Sequence, residues 1–134
     1  MDNTLFINKY LIYALLQNEE IATLITDKRI NPLGQPEGTP YPHITYRRES
    51  LVPEYTKYLP NVGGWTNKIS VSFSIWAETY DEAIYIANIV RDVLENFSFQ
   101  NDDIKISPLE LTYTSEAYAN DAFQQLLTFS TTAE

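Results

Sequence analysis

From Lys68 to Ala77 the chain alternates. Ile69, Val71, Phe73 and Ile75 fall in one set, and Ser70, Ser72 and Ser74 in the other. A period of two sends the sets to opposite faces of a strand, so this segment reads as a half-buried strand of an antiparallel sheet with one polar face. Trp76 breaks the polar row near its end. Thr79-Tyr80-Asp81-Glu82 follows in capping-box form, with an acid three residues after a hydroxyl that can accept a free backbone N–H. Ala83, Ile86, Ala87, Val90, Val93 and Leu94 then recur at helical spacing, predicting a helix that ends near Asn96. Ile84, Tyr85 and Ile89 widen its apolar surface, which implies contact on two sides. A strand of this kind must pair with others, and the helix must lie on its apolar face.

The remaining elements fit around that unit. Leu5, Leu11, Ile12, Leu15 and Leu16, with Tyr10 and Tyr13, mark a first helix that Asp2 or Asn3 can cap. Asn18-Glu19-Glu20 starts a short second helix through Leu24-Ile25, with acids where the helix dipole favours them. Prolines and glycines make 31–42 a loop, and His43 to Tyr46 follows as a strand. Residues 51–66, with Pro53, Pro60, Gly63 and Gly64, read as a second irregular stretch. Asn101-Asp102-Asp103 is a turn, and Ile104 to Thr114 a strand bulged or at an edge because of Pro108. Ala122 to Thr131 is the last strand. The expected fold is α+β: a mostly antiparallel β-sheet with two main helices packed on one face, in a single domain spanning 1–134.

Composition narrows the function. There is no Cys, hence no disulfide, thiolate metal site or thiol nucleophile, which suits a reducing compartment. His43 is the only histidine, and no motif supplies it with a nucleophile or an orienting group. Asn101-Asp102-Asp103 lacks the glycine and distal glutamate of a calcium loop, and Gly63-Gly64 precedes no helix. Paired acids such as Asp81-Glu82 sit at helix starts, where capping explains them. The expectation is therefore a non-enzyme without catalytic residues, cofactor or metal. Met1-Asp2-Asn3 lacks the basic region of a secretory signal, and no apolar run reaches the length of a membrane span. The net charge is −9, and Lys28-Arg29 and Arg47-Arg48 are the only adjacent basic pairs. Tight nucleic-acid binding, which needs a basic patch, is not expected.

The chain has ten tyrosines, residues that serve core edges and contact surfaces equally well. Within 51–66, Tyr55, Tyr58, Leu59 and Trp65 stand among prolines and glycines. Large apolar side chains in a loop either fold back onto the core or anchor a partner, and these four are the interface candidates.

Two stretches together resemble the tail-completion (tail-terminator, or tail-to-head joining) proteins of long-tailed bacteriophages and prophages. One is Arg29-Ile30-Asn31-Pro32 followed by Gly38-Thr39-Pro40-Tyr41-Pro42-His43-Ile44-Thr45-Tyr46. The other is Ile69 to Ala77, then Thr79-Tyr80-Asp81-Glu82-Ala83 and the helix to Leu94. The opening, Leu15-Leu16 through Ile21 to Ile25, is similar to the family's N-terminal helical pair. The resemblance covers roughly residues 5–96 and fades over the last third. It implies an α+β virion protein, present in the host cytoplasm during assembly, that forms a ring, typically a hexamer, on the tail tube. Such a ring ends tail growth and docks the head connector, so the implied partners are further copies of the chain, a tail-tube protein and a connector protein. DNA would pass its lumen without binding. The alternatives are another neck or head–tail connector component, or a small ligand-binding α+β domain.

Overall fold

A computed structural model of the chain describes residues 2–54 and 66–134. In chain order it contains α1 (Ile7–Leu16), α2 (Glu19–Leu24), β1 (Ile30–Pro32), β2 (His43–Glu54), β3 (Thr66–Ala77), α3 (Tyr80–Leu94), β4 (Phe99–Gln100), β5 (Lys105–Ile106), β6 (Glu110–Ala119) and β7 (Ala122–Ala133). Short 3-10 turns at Thr4–Phe6 and Asp27–Arg29 precede α1 and β1. The fold is α+β, as expected: a mostly antiparallel sheet with α1 and α3 against one face.

The alternating strand is the organising element. β3 pairs antiparallel with β2 on one side and with β7 on the other. Directly paired residues share a face, so Ile44 and Tyr46 of β2, Ile75, Phe73, Val71 and Ile69 of β3, and Leu127 and Phe129 of β7 point the same way. Onto them come Ile7, Leu11 and Leu15 from α1 and Ile86, Val90 and Leu94 from α3, making one buried cluster. The other face of the sheet carries Ser70 and Ser74 with Thr128, Ser130 and Thr132. No helix covers that face among the described residues, so the serine row needs no apolar side chains. Ser72 is buried there and donates to Glu49 Oε1 at 2.7 Å.

Helix starts follow the cap chemistry. Asn18 Oδ1 accepts from Ile21 N–H at 3.1 Å, and Thr79 Oγ1 from Glu82 N–H at 3.2 Å. Thr79→Ala removes the second bond and is expected to lower stability by about 1 kcal/mol in urea unfolding, with the slope of the transition unchanged. At the N-terminus Asp2, not Asn3, takes the capping role. Its Oδ1 accepts from the Thr4 hydroxyl at 2.6 Å and from Thr4 N–H at 2.8 Å. Those bonds, the Asn67 amide and the nearby N-terminus outweigh partial burial and hold the Asp2 carboxyl below the usual carboxylate range.

Five boundaries differ from the sequence reading. The apolar stripe of α1 is set by Ile7, fully buried, while Leu5 is 59% exposed. Ile30–Pro32, at the start of the proline-rich stretch, forms a short parallel bridge to Ile44–Tyr46. β2 continues through Leu51–Glu54, which were expected to be irregular. Pro53 is tolerated there because β2 beyond Tyr46 has no strand on its outer side among the described residues. Phe99–Gln100 is a strand pairing β5 that the sequence reading missed. The expected strand Ile104–Thr114 is split by Ser107-Pro108-Leu109 into β5, which lies between β7 and β4, and β6, which is at the sheet edge as foreseen and continues along β7 to Ala119.

Candidate assembly surfaces

Among the described residues the polar groups do not converge on a reacting centre. His43 is half-buried at the start of β2, stacked on Tyr41 with ring centroids 4.9 Å apart and opposite Trp76. Desolvation, helped by the charge of Arg29, lowers its pKa below the usual histidine value, so the ring is neutral at pH 7. Asn101 Oδ1 accepts from Asp103 N–H and Ile104 N–H at 2.8 and 2.9 Å, an Asx turn rather than a cation loop. Among the described residues no three His, Cys, Asp or Glu side chains group to hold a metal. No helix among them is long and apolar enough to cross a membrane.

What the molecule offers is surface. Tyr55, Tyr58, Leu59 and Trp65 all lie within 55–65, outside the described residues. The strands that bracket them are placed: Glu54 ends β2, Thr66 begins β3, and the two residues pair.

The sheet has two open margins. On one side β2 is covered by β1 only over Ile44–Tyr46, which leaves Arg47 to Glu54 without an outer neighbour among the described residues. On the other, β6 pairs only with β7 among the described residues. β6 is 10 residues long, and Tyr113 and Tyr118 are more than half exposed on it. On the helix side of this margin Glu116 is held in place. Its Oε2 accepts from Tyr80 Oη at 2.8 Å and from Gln125 Nε2 at 3.0 Å, and these bonds, Gln125 first, push its pKa down. A second surface is the apolar groove of about 750 Å³ between α1 and the end of α3, lined by Tyr10, Ile12, Leu16, Val93, Phe97 and Phe99. Tyr10 and Phe99 meet there at 5.1 Å.

Sequence reasoning placed none of these surfaces fully. The signal for the β6 edge was available in Asn120-Asp121, a two-residue turn between two strand-like runs. Both residues adopt positive φ (54° and 59°), as a primed hairpin turn requires. The groove has no local signal, because it joins residues far apart in the chain.

No curated protein matches the sequence. A solved chain described as part of the "Virion of native gene transfer agent (GTA) particle" shares the fold. Its TM-score is 0.75 at 15% identity, over 92% of this chain and 91% of that one. The family model of the tail completion protein gp17 matches residues 9–134, nearly the whole sheet and helix layer described above, and the chain belongs to that family.

Proposed function

We propose that this protein is a structural component of a phage-type virion that assembles into a ring at the end of the tail tube, ends tail growth and joins tail to head. The observation that carries the reading is the family match across residues 9–134, which brings with it a tail-completion role. The gene transfer agent chain of the same fold comes from a virion, which supports a place in such a particle. Two properties of the chain suit the role. It presents two different open sheet margins, the geometry a head-to-tail ring needs, since each subunit must offer one patch to each neighbour. Its net charge of −9 makes a ring that repels phosphate, so DNA can pass the lumen without sticking. Within this reading Tyr55, Tyr58, Leu59 and Trp65 anchor a neighbouring subunit, the tail-tube protein or the head connector. The chemistry is association alone, with no catalysis and no cofactor.

The mass of the purified protein over a concentration series, by light scattering or native mass spectrometry, tests the proposal. A closed ring, or one formed when tail-tube protein is added, is the expected result, and Tyr58→Ala and Trp65→Ala should weaken it. A protein that stays monomeric throughout and binds neither tail-tube nor connector protein overturns it.

A further inference from the structure

We infer that neighbouring copies join by pairing the open edge of β2 on one subunit with the open edge of β6 on the next, antiparallel, with Arg48 facing Glu116. This rests on the ring reading above and names the contact that would build it.

Strand direction permits the pairing. β2, β3, β7 and β6 alternate in direction because each neighbouring pair is antiparallel. A second copy in the same orientation therefore sets its β2 antiparallel to the first copy's β6, and the helix-covered faces stay on the same side. The edges can take a partner for a physical reason as well. An outermost strand presents unpaired backbone N–H and C=O groups, and soluble proteins guard such edges with charged side chains, proline, bulges or short length. β6, Glu-Leu-Thr-Tyr-Thr-Ser-Glu-Ala-Tyr-Ala, runs 10 residues without lysine or proline, and from Tyr113 to Ser115, beyond its bulge, it carries no charge.

Charge selects the partner edge. Arg47-Arg48, one of two adjacent basic pairs in a chain of net charge −9 (the other is Lys28-Arg29), sits where the β2 edge becomes free. Arg48 pairs with Val71 and so lies on the helix side, where it gives one hydrogen bond to Leu5 O at 3.2 Å. Among the described residues the rest of its fork makes no other hydrogen bond. Arg47 lies on the opposite face and, among the described residues, forms an ion pair only with the exposed Glu49 carboxylate, at 3.3 Å, a pair of little energetic weight. On β6, Glu116 pairs with Gln125 and so also lies on the helix side. Its two donors both fall on Oε2, so the carboxylate is fixed on an exposed strand and Oε1 keeps its acceptor capacity.

One register satisfies charge and apolar surface together over Tyr113–Glu116; the ladder stops at Arg47, because β1 already occupies the outer edge of Ile44–Tyr46 and the end of β6 from Tyr118 must turn aside there. Glu49 is the extra residue of the bulge in β2. With Arg48 opposite Glu116 and Glu49 left out, Ser50 falls opposite Ser115, Leu51 opposite Thr114 and Val52 opposite Tyr113. Val52 and Tyr113 are both on the helix-free face and both 56% exposed, and this register buries each against the other. The occupant of each edge is thus a second copy of this chain.

The test uses charge reversal in two separate proteins. Arg48→Glu alone places like charges at every contact, and so does Glu116→Arg alone, so each should lose the ring while its circular dichroism and unfolding midpoint stay near wild type. Mixed, the two variants restore opposite charges at every contact of a ring in which they alternate, and rings should return. Because the chain has no cysteine, Arg48→Cys mixed with Glu116→Cys gives a second readout: cross-strand spacing suits a disulfide, so dimers linked between the two variants should form under oxidation. Both are read wherever wild type assembles, in solution or on tail tubes. Rings that survive both single reversals and give no disulfide overturn the edge pairing and leave the ring reading intact. Wild-type protein that forms no ring in either setting overturns both.

Discussion

Phe73→Ala is expected to cost about 3–5 kcal/mol in urea unfolding, near the upper range for a single core truncation. Phe73 is fully buried at the middle of β3, with Tyr46 across one strand pair and Leu127 across the other. Its ring meets Phe129 edge-on at 6.1 Å and 76°, and Tyr46 at 6.2 Å. Truncation removes the transfer free energy of the ring, leaves a cavity between sheet and helices, and loses an edge-to-face contact worth about 0.5–1.5 kcal/mol. With domain stability typically about 5–15 kcal/mol, the variant keeps a small margin. Phe129→Ala empties the same cavity, so the double variant should cost measurably less than the sum of the two singles. A cost below about 1 kcal/mol for Phe73→Ala would mean that the sheet face is not packed as described.

How much of this was legible in the sequence depends on the range of the interactions involved. The strand Lys68–Ala77 and the helix after Thr79 were readable because their signals are local. Alternation of period two and a hydroxyl three residues before an acid reflect backbone geometry within a few residues. Asn18 worked for the same reason. The extension of β2 through Pro53 was not readable, because whether a strand tolerates proline depends on which side is paired, a property of the sheet and not of the segment. The split at Pro108 was half readable: proline marked an edge, but only the continued pairing of Ser107 N–H with Thr132 O, at 2.9 Å, shows the two pieces to be one interrupted run along β7. The candidate surfaces divide in the same way. Tyr55, Tyr58, Leu59 and Trp65 stood out because apolar residues in a proline- and glycine-rich stretch are anomalous locally. Arg48 and Glu116 did not stand out as a pair, since their relation appears only once both strands are known to be the open margins of one sheet.

The start of α1 gives the second large effect and separates two readings of one stripe. Helical spacing placed Leu5 with Leu11 and Leu15 on the buried face. In the structure Leu5 belongs to a 3-10 turn, Thr4–Phe6, and stands two residues before Ile7, about 200° around a helix, so it points away from the buried face. The stripe then runs Ile7, Leu11, Leu15, at four-residue spacing, with each side chain fully buried. Ile7→Ala should therefore cost about 2–5 kcal/mol, while Leu5→Ala, removing a side chain 59% exposed, should stay within about 0.5 kcal/mol of wild type. Unfolding curves of the two variants decide the matter, because they remove side chains of equal size two positions apart. The reverse order of costs would put Leu5 in the core and shift the helix in register. The Leu5 carbonyl that receives Arg48 would then move with it. The Arg48 side chain would lose its anchor beside the β2 edge, and the pairing of Arg48 with Glu116 would lose part of its geometric basis.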